Sequence, residues 1–533
     1  MSADPTFADL HCHPHSRAFN FMRNSRQRKT DKYNPWTIII PNFRAQEKGA
    51  RAFNYSQCDP VKLINGNVRI AFASLYPFEK GFFRGGGKID GEGVAKVAAI
   101  VQKIPLLGFA AEMWLRMKLK PWLSSEEGVI SAKDHFQSIL MKMPIKRIEY
   151  IQSGEYEYYE ELKEEYEFLV SKSGVPSQAV IEGSPIRKTL FKLFGKKKNK
   201  EALKGNGTYV VARNFVEVEA AAAQENLVFI LTIEGMHALG TDNFLPEIFT
   251  RIDEIKAWHY PVFFITFAHH FDNKLCGHAH SMPKEATLFV DQREAMHSPF
   301  NDIGWAAARQ LLSLDPDNKK DLATYGRRIF LDLKHMGARS RQEYYQKIID
   351  PCIKKGDVIP VILSHVGYSG VKTLNEMIAN MDFEADTFQG KLFNNWNINA
   401  CDEDILKVID TGGLLGLCFD QRILSQKKKE VIASEALLEK NLKGILQAVD
   451  SSSLTAQAKP RIWDVLTIGT DFEGYIDPAD DYATSAAFNR FYADLVKIIQ
   501  TLPSNSFQEG RTPEVLAKKI CYDNVIEFLK RYF

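Results

Sequence analysis

No run of about 20 uncharged apolar residues occurs in this 533-residue chain, which excludes a membrane-spanning helix. Charge of one sign is missing too. Lys and Arg total 68 against 66 Asp and Glu, and a net charge of +2 lacks the basic excess that nucleic-acid binding draws on. Cysteine is sparse: seven residues, an odd number without close pairing, suit a reducing compartment better than a disulfide framework. An apolar run starts at Phe7 and leaves no room for the basic and apolar regions of a secretory signal. A cytoplasmic location is expected.

What the chain has is short apolar runs. Eight of them, at 7–13, 69–77, 228–235, 262–270, 329–335, 358–365, 412–420 and 465–471, are rich in Val, Ile, Leu and Phe and nearly continuous in hydrophobicity. Strands buried on both faces have this character. Most intervals are long enough for a helix and two loops, and 373–382 and 404–411 carry helical patterns. The expected fold is α/β, a (β/α)8 barrel, and one barrel of about 250 residues plus insertions uses most of the chain. A single domain over 1–533 is expected, with a large, mostly helical insertion at 78–225 between strands two and three.

The ends of the runs carry the chemistry. The first closes on His11 and His13, which share a face of a strand because they are two residues apart. Others end in Glu234, His269 with His270, His335, His365 and Asp471. Six of eight strands thus bring a metal ligand or titratable group to the C-terminal rim, where such barrels build their sites. Ionisable groups at an apolar mouth are costly unless compensated, and a bound cation compensates them. Singly, Glu234 also reads as a helix cap and His335 as a satisfied core histidine.

The segments 233–240 (IEGMHALG), 266–269 (TFAH), 325–345 (YGRRIFLDLKHMGARSRQEYY), 360–370 (PVILSHVGYSG), 402–417 and 468–474 (IGTDFEG) together resemble the renal or membrane dipeptidase family, peptidase family M19, of the amidohydrolase superfamily. The resemblance spans residues 225–480 well and the first strand less well. It implies two divalent ions, zinc by ligand type, bridged by Glu234. His11 and His13 would complete one site, and His335 and His365 the other. It further implies Asp471 as the catalytic carboxylate and His269 as the histidine at the substrate carbonyl. The reaction implied is cleavage of an amide bond in a dipeptide or small acyl-amino compound by a hydroxide bridging the metals.

Two departures stand out. The family has H-x-D at the first strand, where this chain has His13. It also has an arginine that grips the substrate carboxylate, whereas residues 394–401 contain none. Arg422, Arg339 and Lys372 are the candidates to replace it.

Two other readings compete. One is another metal-dependent hydrolase of the amidohydrolase, TatD or PHP type, acting on an ester, lactone or phosphodiester; near-neutral charge weighs against phosphodiesters. The other is a binding protein that kept the barrel. The expected partner is a small molecule or dipeptide, with no nucleic acid and no membrane span; homo-oligomerisation is left open.

Several neighbours read as structural. His270 is expected to point away from His269, His237 to make a hydrogen bond near the site or face solvent, and His15 to occupy a turn. His278 and His280 are expected on a loop lining the pocket, Asp332 as a buried partner of a ligand, and Asp272 and Asn273 as loop-shaping residues. Within the insertion, 88–123 reads as apolar helix, 155–172 as a solvated amphipathic helix, and 186–200 as a basic amphipathic segment. Leaving from the end of strand two, the insertion is expected to cap the mouth as a lid.

Overall fold

The computed structural model describes residues 5–23, 33–39, 56–83, 143–182, 205–282, 290–380, 393–425, 433–503 and 506–533. Eight parallel strands follow one another around a barrel: β1 (Phe7–Cys12), β2 (Val68–Leu75), β3 (Leu227–Glu234), β4 (Val262–Thr266), β5 (Phe330–Asp332), β6 (Ile362–Val366), β7 (Leu414–Leu417) and β8 (Leu466–Ile468). Each coincides with one apolar run of the sequence. Every residue of β3 and β4 is buried, as expected of strands covered on both faces.

The ring closes between β8 and β1. The amide of Asp471 donates to the carbonyl of His11 at 3.0 Å, and that of His13 donates to Phe472 at 2.9 Å. Inside the same seam the buried Asp9 carboxylate accepts from the amide of Thr470 at 2.9 Å and its hydroxyl at 2.6 Å. Close backbone approach packs the chain of β6, β7 and β8 together. A Cβ at Gly416 or Gly469 would lie 1.9 or 1.8 Å from the carbonyl oxygen of Ser364, so only glycine fits at either place.

Helices form the outer layer. Those at Ile248–Lys256, Asp302–Leu311, Asp402–Thr411 and Ser434–Asp450 lie between successive strands, and Phe488–Gln500 and Asn524–Tyr532 follow β8. Local signals set their ends. Asn301 caps the helix at Asp302 by accepting from the amide of Gly304, and Gly412, in the left-handed region at φ 62°, terminates Asp402–Thr411. A short strand, Tyr209–Val211, adds to β3 outside the ring, and two small two-stranded sheets stand apart from it.

The described part of the insertion sits beside the barrel mouth. The helix Tyr158–Val170 is not simply the solvated helix its charge suggests, because two of its acidic residues, Glu161 and Glu165, turn inward. Glu165 pairs with His15 at 2.8 Å and accepts from the amide of Tyr76 at 2.8 Å, so it touches the segments that follow β1 and β2. Glu161 is fully buried between two guanidinium groups, Arg23 and Arg147, each at 2.8 Å, and accepts from the Tyr150 hydroxyl at 3.0 Å. The segments 88–123 and 186–200 lie outside the described residues. All seven cysteines are free and buried, and no helix among the described residues is long and apolar enough to cross a membrane.

Removing one partner of a buried charge network leaves the others uncompensated, at a cost of about 3–5 kcal/mol. Glu161→Leu should therefore lower the unfolding free energy by about that amount in urea titrations. A loss below about 1 kcal/mol would show that Arg23 and Arg147 do not depend on this carboxylate.

Candidate metal centre

Glu234 is the last residue of β3, and its side chain is 3% exposed. Five imidazoles surround its carboxylate. The Nε2 atoms of His11, His269, His335 and His365 lie 3.3, 3.5, 3.6 and 3.9 Å from Oε1, and that of His13 lies 3.0 Å from Oε2. Asp471 completes the group, with oxygens 3.9 Å from His11 and 3.8 Å from His365. All seven residues singled out in the sequence thus meet at one end of the barrel.

Departures from regular strand geometry deliver these groups. His13 stands one residue past β1, while His269, His335 and Asp471 each stand three past their strands. His335 and Asp471 occupy the left-handed region at φ 64° and 60°, where a residue with a Cβ costs about 1–3 kcal/mol and persists only when its surroundings hold it. The register slips between Asp9 and Cys12 on β1 and between Leu363 and Val366 on β6, bracketing His11 and His365. Bulges of this kind re-aim side chains. On β6 the irregularity lets adjacent residues serve one site: His365 faces Glu234, and the Ser364 hydroxyl bonds its Nδ1 at 2.8 Å.

Beneath this layer lies Asp332. Its Oδ2 accepts from the hydroxyls of Thr266 and Ser364, both at 2.6 Å, so it braces β4, β5 and β6 and orients His365 through Ser364. Asp332 is thus buried, as expected, and reaches a ligand-type histidine through the Ser364 hydroxyl. On the opposite flank, His13 Nδ1 meets the carbonyl of Ser74 at 2.9 Å. The Nδ1 of His269 pairs with Glu79, a buried carboxylate that also accepts from the amide of Phe271 and lies 3.8 Å from His237.

The electrostatics suit a cation. Burial lowers the pKa of His11, His335 and His365, and of the last two strongly, so these imidazoles are neutral. Neutral imidazole is the form that ligates metal. Burial alone would raise Glu234, but the surrounding histidines hold its carboxyl well below the usual range. On His13 the same carboxylate outweighs burial and lifts the imidazole to about 9, so metal binding there must displace a proton. Burial and then Glu234 push Asp471 well above its ordinary range.

Unsatisfied nitrogens make the sharper test. His11 Nδ1 and Nε2, His13 Nε2, His335 Nδ1 and His365 Nε2 are buried without a hydrogen-bond partner. Buried polar atoms are rarely left so. Their potential ligand atoms fall into two main groups, His11–His13–Glu234–Asp471 and Glu234–His335–His365, each within 4.8 Å internally and both containing Glu234. Two ions sharing one carboxylate fit this donor set. Its nitrogen and oxygen ligands suit Zn²⁺ and also other first-row divalent ions.

Other expectations fare unevenly. His270 does not point away: its ring lies 3.9 Å from that of His269 and 4.8 Å from that of His335, and the three form a further ligand-type group. A fourth such group joins His11, Asp332 and His365. His237 is buried and bonds the carbonyl of Pro77 at 2.8 Å. His15 does occupy a turn, but it is buried against Glu165. His278 bonds the backbone of Ala279 and Glu294, in a loop and outside the metal-type groups of the described residues. Asn273 and Asp272 shape the loop after β4 by accepting from the amides of Leu275, Cys276 and Lys274. Of the three candidate replacements for the arginine, Arg339 and Lys372 are exposed and Arg422 is clasped by Asp420.

Glu79 carries no signal in the sequence: it follows β2 in a segment with no ligand spacing.

No protein-family model matches the chain, and no curated protein matches it. Among solved structures, a dipeptidase described as a metallo-peptidase of family M19 shares 12% identity, covering 99% of this chain and 99% of its own, with a TM-score of 0.48. A metallo-peptidase from Rhodobacter sphaeroides, liganded with a phosphinate mimic of L-Ala-D-Ala, shares 12% over 100% of both chains at 0.47. The probable dipeptidase PvdM from Pseudomonas aeruginosa shares 10%, covering 92% of this chain and 94% of its own, at 0.45.

Partners that orient a ligating histidine typically contribute 10–100-fold to metal affinity. Ser364→Ala should weaken Zn²⁺ binding by about that factor in competition with a chromophoric chelator. An unchanged affinity would remove the Asp332–Ser364–His365 relay from the centre.

Proposed function

We propose that the protein is a binuclear metal-dependent hydrolase, most simply a zinc enzyme, that cleaves the amide bond of a dipeptide or related small acyl-amino compound. One observation carries this reading: a single buried carboxylate, Glu234, is encircled by five imidazoles, several with unpartnered nitrogens, beside the partly buried carboxylate of Asp471. His11 and His13 would hold one ion, His335 and His365 the other, and Glu234 both. When bound, such ions lower the pKa of water toward about 7 and polarise a carbonyl.

The remaining work falls to the protein's own groups. Asp471 stands at the rim, 14% exposed and within 4 Å of His11 and His365, where a carboxylate can take a proton from water and return it to a leaving amine. Its left-handed backbone aims it across the mouth instead of along β8. His269 reaches the site through Nε2 while Nδ1 is committed to Glu79. Nδ1 being turned to Glu79, Nε2 is the atom left to meet the oxygen on which negative charge would develop. Glu79 thereby fixes the direction of that contact.

The helix Tyr158–Val170 supports a lid role for the insertion at 78–225. Tyr158 packs edge-on against His237, ring centres 5.1 Å apart, and Glu165 joins the segments after β1 and β2. A wall on that side limits substrate length.

A dipeptide panel assayed beside a phosphodiester panel, with and without chelator, tests the reading. Dipeptide cleavage that is lost with chelator and restored by Zn²⁺ is expected. Asp471→Asn should retain its metal and lose about 10²–10⁴-fold in kcat. Chelator-sensitive cleavage of phosphodiesters alone would transfer the chain to a different class of hydrolase. A fully active Asp471→Asn would remove the role given to that carboxylate.

A further inference from the structure

His270 takes no part in the chemistry above, yet it stands against two groups that do. Its ring centre lies 3.9 Å from that of His269 and 4.8 Å from that of His335, and those two rings are 4.6 Å apart. One ligand atom from each of the three lies within 4.8 Å of the others. Of the four such groups among the described residues, this alone contains no carboxylate.

Groups outside the triad orient two of its rings. His269 turns Nδ1 to the buried Glu79 and keeps Nε2 for the site. His270 Nδ1 lies 2.6 Å from the Ser281 hydroxyl, and Gln292 holds that hydroxyl in place. The Gln292 amide nitrogen donates to Ser281 Oγ and to the His270 carbonyl, both at 2.7 Å, while its oxygen accepts from the amides of Ser281 and Met282. Ligating histidines commonly have their second ring nitrogen held in this way. The third ring, His335, has Nε2 3.6 Å from Glu234 and a buried Nδ1 without a hydrogen-bond partner. It belongs to two ligand-type groups, this one and Glu234–His335–His365. A neutral imidazole has one lone pair to give, so an ion in either group competes with the other for it.

We propose that His269, His270 and His335 form an inhibitory metal seat beside the Glu234 centre, one that takes up a further divalent ion when metal is in excess. Three imidazoles without a carboxylate favour Cu²⁺ above all, with Ni²⁺ and Zn²⁺ below it. An ion there occupies Nε2 of His269, the atom left for the substrate oxygen, and draws His335 away from the Glu234 pair. Excess metal thus silences the centre that two ions activate. The inhibitory effect rests on the hydrolase reading; the seat itself does not.

The test titrates zinc-loaded wild type, His270→Phe and Ser281→Ala with Cu²⁺, read by electron paramagnetic resonance and by dipeptide cleavage. Phenylalanine keeps an aromatic ring beside Phe82, whose ring centre is 5.2 Å from that of His270. Wild type should bind Cu²⁺ with hyperfine structure from imidazole nitrogens, and cleavage should fall as that signal grows. His270→Phe should keep its zinc and its basal turnover, bind Cu²⁺ about tenfold or more weakly, and resist inhibition to the same degree. Ser281→Ala, which removes only the group behind His270, should weaken Cu²⁺ binding by about 10–100-fold and stands in should His270→Phe fail to fold. Cu²⁺ that binds and inhibits both variants as it does wild type would place the copper at the Glu234 centre and overturn the proposal. No Cu²⁺ uptake by wild type, or a copper signal without imidazole nitrogen, would also overturn it. Should wild type cleave no dipeptide while Cu²⁺ uptake still follows His270, the hydrolase reading fails and the metal seat stands.

Discussion

Everything at the mouth of this barrel depends on burying one carboxylate. Glu234 lies at the end of a strand with no exposed residue, and a lone charge there would be prohibitively costly. Five imidazoles converge on it from β1, β6 and the segments following β1, β4 and β5, so no single loop creates the site. The electrostatic conflict among these groups is explicit. Three imidazoles are kept neutral by burial, one is held protonated by Glu234, and Asp471 is forced toward its neutral form. Divalent cations resolve that conflict because they replace protons with charge that neutral imidazoles can share.

The fold supplies rigidity in layers. Asp9 ties β1 to the Thr470 segment and Asp332 ties β4 to β6, each through short hydroxyl contacts one level below the histidines. Above them the chain leaves ideal geometry: a register slip at His11 and at His365, and left-handed turns at His335 and Asp471. Regular strands thus hold the frame, and irregular positions present four of the seven residues that meet around Glu234. Beyond them stands Glu79, outside the ligand-type groups of the described residues, paired with His269 Nδ1.

The barrel was legible in the sequence because doubly buried strands leave continuous apolar runs, and all eight runs overlap an observed strand. The seven residues that meet at the mouth were legible because six of the eight runs end in one or two such polar groups against an apolar background. His11 and His13 met the simplest geometric expectation, that residues two apart share a face. What the sequence could not convey were partners joined only in three dimensions. Glu79 lies 190 residues from His269 and follows no spacing rule. Glu161 and Glu165 look like the solvent face of a charged helix until Arg23, Arg147 and His15 arrive from elsewhere. Strand alternation does not reach His270, because β4 ends at Thr266 and the chain beyond it sets the His269 and His270 rings side by side.

The central claim is that Glu234 serves two ions at once. Metal content per chain, measured by plasma mass spectrometry on gently purified protein and on Glu234→Ala, tests it most directly. Two equivalents of divalent metal in the wild type, with both reduced together in the variant, is the result this account predicts. One equivalent or none in the wild type, or two that persist without Glu234, would contradict it.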